Sequence, residues 1–161
     1  MAAGQPPEEA LVQPSFEEVA EDTGLPVGWT AWHTPSAAAY SLADARTGVA
    51  CVAILDDDPK VSYGLRSQPV KIEPGVTYRA SAWVKILELE AGGFAVYLEF
   101  WQGPRRVADF ARSLTEADDW AQITVENVAP AGAEAATVLV YASSATVGHG
   151  LFDDAALEPL D

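Results

Sequence analysis

The octapeptide Phe94-Ala95-Val96-Tyr97-Leu98-Glu99-Phe100-Trp101 alternates without a break. Side chains on an extended strand point to opposite faces in turn, so a period of two means a strand and excludes a helical stripe. Phe94, Val96, Leu98 and Phe100 are wholly apolar and form the expected core face. Ala95, Tyr97, Glu99 and Trp101 form the other face. Rings with a single carboxylate are what a polar, ring-shaped ligand would meet.

The same period recurs on both sides of this strand. Residues 76–86 set Tyr78, Ala80, Ala82 and Val84 against Arg79, Ser81, Trp83 and Lys85. Residues 120–128 set Ala121, Ile123 and Val125 inward and Trp120, Gln122 and Thr124 outward. Residues 136–143 set Val138, Val140 and Ala142 inward, which leaves Tyr141 outward. Shorter strands are expected over 28–32, 37–42, 49–55, 61–66, 68–72 and 151–157. Between them stand Glu73-Pro74-Gly75, Gly92-Gly93, Gln102-Gly103-Pro104 and Ala129-Pro130-Ala131-Gly132, all turn formers. Residues 105–117 stay unassigned, because Val107 and Phe110 sit among many polar residues. Many short strands at even spacing predict an all-β fold, an antiparallel β-sandwich or jelly roll rather than βαβ units.

Length and charge narrow the function classes. At 161 residues the chain is one domain, with residues 1–10 expected as a flexible, Pro-containing acidic arm and residues 11–161 as the sandwich. The net charge is −15, with nine Lys and Arg in all. That argues against nucleic acid and against anionic membrane surfaces. It leaves a neutral partner, cations or a basic protein surface. Cys51 is the only cysteine, so no intramolecular disulfide can form and the zinc patterns lack ligands. No apolar run approaches the ~18 residues of a membrane span. The opening MAAGQPPEEA lacks the basic and apolar regions of a secretory signal, so a signal was either removed or never used.

Four segments, in order, resemble the galactose-binding-like jelly-roll carbohydrate-binding modules attached to bacterial glycoside hydrolases. They are Pro14-Ser15-Phe16-Glu17-Glu18 with Gly28-Trp29; Thr47-Gly48 before an alternating strand; Glu73-Pro74-Gly75-Val76-Thr77-Tyr78 running into Ser81-Ala82-Trp83-Val84-Lys85; and Trp120, Pro130-Ala131-Gly132 and Phe152-Asp153-Asp154-Ala155. The resemblance implies a structural calcium tying the first strand to the last. Its matching positions are Glu17, Asp153 and Asp154, with carbonyls from the Arg46-Thr47-Gly48 turn. Calcium takes six to eight oxygen ligands, which suits that set. Gln13 stands where the family often has Asn.

The outward residues Trp83, Tyr97, Glu99, Trp101, Trp120, Gln122 and Tyr141 are expected to share one open face and to bind a glycan there. Flat rings meet the C–H faces of a sugar, while Glu and Gln meet its hydroxyls. A glycosidase would need a second carboxylate about 5–9.5 Å from Glu99; Asp109 and Glu126 are the candidates. His33 and His149 are isolated, so no Ser-His-Asp constellation forms. The expected function is a non-catalytic module that holds a polysaccharide or cell-surface glycan, outside the cell as part of a secreted protein. The alternative is a bacteriophage structural protein, for capsid decoration or tail attachment, docked on a viral partner through its arm. The initial Met without a signal and the end so close after the last strand favour that alternative.

Overall fold

The computed structural model describes residues 16–17, 26–33, 38–41, 45–47, 51–56, 58 and 60–160. The arm expected over 1–10 lies outside them. Among the described residues there is no helix. Eleven strands run β1 (Trp29–His33), β2 (Ala38–Ser41), β3 (Cys51–Asp56), β4 (Tyr63–Ser67), β5 (Val70–Lys71), β6 (Thr77–Ala91), β7 (Phe94–Gln102), β8 (Arg105–Leu114), β9 (Ala121–Val128), β10 (Ala135–Ala142) and β11 (Val147–Leu160).

All the pairings are antiparallel. One sheet has the order β1-β4-β10-β7-β8, with β5 beside β10, and the other has the order β2-β3-β11-β6-β9. The two sheets form a β-sandwich. Phe94, Val96, Leu98 and Phe100 all point inward and are fully buried, as the alternation of β7 predicts. They meet Val84, Val138, Val140 and Phe152 in one apolar core, each such side chain worth about 1.5–3 kcal/mol on burial. Phe94 and Phe152 meet edge to face across the sheets, with centroids 6.1 Å apart. Phe16 is buried and stacks edge-on against Trp29 at 4.9 Å.

The ambiguous stretch 105–117 supplies a full strand. β8 pairs with β7 from Phe94↔Leu114 to Gln102↔Arg105 and is the last strand of its sheet. An edge strand buries little, so its polar composition hid it from a periodicity reading.

β6 and β7 are neighbours in sequence but lie in opposite sheets. The crossing is made at Gly92-Gly93. Gly92 has φ of +74°, and a Cβ there would lie 2.5 Å from Thr146 Oγ1. Both the left-handed backbone and the close approach require glycine.

Candidate functional site

The crossing at Gly92-Gly93 divides the expected face in two. Tyr97, Glu99, Trp101 and Tyr141 lie on the outer side of the first sheet, on β7 and β10. Trp83 and Gln122 are cross-strand partners in the second sheet, with Trp120 just before β9. The seven residues therefore do not form one surface. Alternation identifies which side chains point outward, but not which sheet carries them.

The first sheet's outer face centres on Glu99. Its carboxylate was expected to be exposed, yet it is 0% exposed. Oε1 accepts from Arg66 Nε at 2.7 Å and from Thr137 Oγ1 at 2.8 Å. Oε2 accepts from Arg66 Nη2 at 2.7 Å and Arg106 Nη1 at 2.7 Å. Four donors meet the roughly four lone-pair sites of a carboxylate, so none is left for a ligand hydroxyl. Burial alone would raise the Glu99 carboxyl. The hydrogen bonds from Arg66 and Arg106, the charge of Arg66 and the Thr137 hydroxyl outweigh it and hold the carboxyl below its ordinary value.

The register places these groups side by side. Glu99 faces Thr137 on β10 and Asp109 on β8, while Arg66 on β4 faces Leu139 on β10. Thr137 also accepts the Trp101 indole N–H at 2.8 Å, and the Arg66 guanidinium lies 5.0 Å from the Trp101 ring centroid. Trp101 is thus fixed along one edge and over one face. Arg106 reaches Asp109 as well, at 3.5 Å.

Beside this cluster Tyr97 and Tyr141 meet edge to face at 5.3 Å. They line a cleft of about 300 Å³ with Gly93, Ala95, Ser113 and Ser143. Both rings are half-buried. Burial pushes the Tyr97 phenol above its ordinary value, with the charges of Tyr141, Asp109 and Glu99 adding to it and Arg106 opposing. Gly64 sits opposite Tyr141; a Cβ there would lie 2.7 Å from the Val140 carbonyl oxygen and 3.2 Å from the Tyr141 ring. Only glycine leaves β4 flat at that point.

Arg66, Arg106 and Thr137 were missed in sequence. Arg66 alternates with the buried Leu65, which would have placed it outward. Arg106 lay in the unassigned stretch.

On the second sheet the Arg46 guanidinium stacks 3.7 Å from the Trp83 ring centroid. One face of Trp83 is therefore occupied. Arg46 Nη1 also bonds Asp154 Oδ2 at 2.9 Å, and Thr47 Oγ1 bonds Asp154 Oδ1 at 2.6 Å. Asp153 is fully buried. Its Oδ2 accepts the backbone N–H groups of Arg46 at 3.0 Å and Thr47 at 3.2 Å. The last strand bulges between Asp153 and Ala156, and Asp154 has φ of +48°. Burial, against the N–H donors of Thr47, Asp154 and Arg46, pushes the Asp153 carboxyl up to about 7.

This donor set does not fit the calcium expected at Glu17, Asp153 and Asp154. Calcium needs converging oxygens, whereas the 45–47 turn aims N–H groups at Asp153 and a guanidinium at Asp154. Among the described residues no three His, Cys, Asp or Glu side chains are gathered for a metal.

The carbohydrate binding domain family matches residues 8–146. The chain belongs to that family. Solved structures agree on the fold. A family 16 carbohydrate-binding module is 18% identical, with TM-score 0.70, covering 92% of this chain and 99% of that one. TmCBM61, solved with β-1,4-galactotriose, is 22% identical, with TM-score 0.63, covering 96% of this chain and all of that one. The enzymatically active domain of bacteriophage CBA120 tailspike protein 4 is 14% identical, with TM-score 0.66; the match covers 83% of this chain but 20% of that one. No curated protein matches the sequence.

Proposed function

We propose that this chain binds a glycan on the outer face of its first sheet, without catalysis. The observation that carries the reading is the Tyr97–Tyr141 cleft, lined also by Arg112, Ser113 and Ser143, with Trp101 on the same strand as Tyr97. Rings at right angles give a sugar one flat contact and one edge, and hydroxyls complete its polar rim. The galactotriose held by TmCBM61 supports an oligosaccharide as the ligand class. Glu99 spends all its acceptor capacity on Arg66, Arg106 and Thr137. A buried carboxylate so engaged does not exchange protons with a substrate, which supports a binding role over a glycosidase role. We place the chain outside the cell, in a secreted protein, as suits its family.

Affinity electrophoresis and titration calorimetry against xylan, mixed-linkage glucan, mannan and galactan test the reading. Retardation by at least one, abolished by Tyr97→Ala and weakened by Trp101→Ala, is expected. Silence with every glycan in a folded sample rejects it. The virion alternative draws only on fold likeness to the tailspike domain.

A further inference from the structure

We infer that Glu99 is a specificity-determining residue that closes this face to anionic glycans and reserves it for uncharged ones. The inference rests on the glycan-binding reading above. Two guanidiniums, Arg66 and Arg106, stand at the centre of the face, with side chains 21% and 34% exposed. Left alone, such a pair would bind carboxylates bidentately, as guanidinium groups do wherever acidic sugars or phosphates are read.

Glu99 pre-empts them. It takes both N–H groups of the Arg66 fork and one from Arg106, each at 2.7 Å, and Asp109 faces Arg106 from the other side. The four charges cancel. Glu99 is fully buried and accepts from both arginines, so the guanidiniums stay committed to it although their own side chains remain part-exposed. Lys71 and Arg112 are exposed, Arg112 in the lining of the Tyr97–Tyr141 cleft itself, and against these two cations stands the chain's net charge of −15, which repels polyanions at long range. Glu99 also anchors Trp101 through Thr137, so one carboxylate both neutralises the arginines and orients the ring.

The variant Glu99→Gln, which removes the carboxylate charge at almost unchanged shape, tests both roles at once. Run in gels containing alginate, the wild-type chain is expected to migrate as in a plain gel. Glu99→Gln is expected to be retarded by alginate and to lose that retardation at about 0.5 M salt, where surface charges are screened within a few ångströms. Its affinity for the best uncharged glycan should fall at least tenfold. A folded Glu99→Gln chain that ignores alginate overturns the proposal. If that variant does not fold, Arg66→Gln and Arg106→Gln decide. Alginate migration unchanged in both supports closure; a wild-type chain that binds alginate until either arginine is removed refutes it. If no uncharged glycan retards the wild type, the glycan-binding reading fails by itself, and the gain of alginate binding still tests the closure.

Discussion

Thr137→Val is the sharpest test of the cluster beneath the rings. The exchange keeps shape and volume almost unchanged and removes one hydroxyl. That hydroxyl donates to Glu99 Oε1 at 2.8 Å and accepts the Trp101 indole N–H at 2.8 Å. Hydrogen bonds to charged groups contribute about 1.5–3 kcal/mol, and a buried acceptor left short of a donor sits at the upper end of that range. Trp101 is only half-buried, so water can recover part of its N–H, and that loss stays near 0.5–1 kcal/mol. The variant should therefore lose about 2–4 kcal/mol. With a urea m-value of about 2 kcal/mol/M for a domain of this size, the midpoint falls by about 1–2 M. Trp101 emission should shift as its indole enters water. A midpoint shift under 0.3 M with unchanged fluorescence would show that Thr137 is a bystander and that the Glu99 cluster is not cooperative.

Four further outcomes follow from the same geometry. Glu99 has a lowered carboxyl pKa in the folded chain. Its contribution is therefore complete above the ordinary carboxyl value and is lost as pH falls through the lower folded one, so melting temperature should drop more steeply below about pH 4.5 in wild type than in Glu99→Gln. Asp153 behaves in the opposite sense. Its carboxyl is raised to about 7, so the folded state holds the proton more tightly than the unfolded one, and stability should decline as pH rises from about 4 to about 7 and level off above; Asp153→Asn should flatten that slope. Arg46→Ala removes the stack on Trp83 and the bond to Asp154, and should cost about 1–2 kcal/mol by chemical denaturation; the wild-type melting temperature should be equal in calcium and in chelator, and a rise of several degrees with calcium would contradict the metal misfit argued for Asp153 and Asp154.

Much of the fold was legible because β7, β6, β9 and β10 each carry an apolar inward set, and a strand writes that side as alternation. Ile123 and Val125 on β9, and Val138 and Val140 on β10, took the inward side that parity assigned. The site was legible only in pieces. Parity identified Tyr97, Trp101 and Tyr141 as outward, but the sheet to which Trp83 and Gln122 belong depends on long-range pairing, which local period does not encode. Glu99 shows the deeper limit. An outward carboxylate reads as solvated, and only the arrival of Arg66 from β4 and Arg106 from β8 buries it.

The position of β11 has a consequence for how the molecule is born. The last strand in sequence is the central strand of the second sheet, hydrogen-bonded to β3 on one flank and to β6 on the other. Until it arrives, β3 and β6 each present an open edge, and the sheet exists only as two unconnected hairpin-like halves. Contacts between such distant parts of the chain close slowly, and bare strand edges invite pairing with a second molecule. A nascent or truncated chain lacking residues 147–160 would therefore be a sticky, two-piece intermediate, and the arrival of that strand is the event that locks the sandwich.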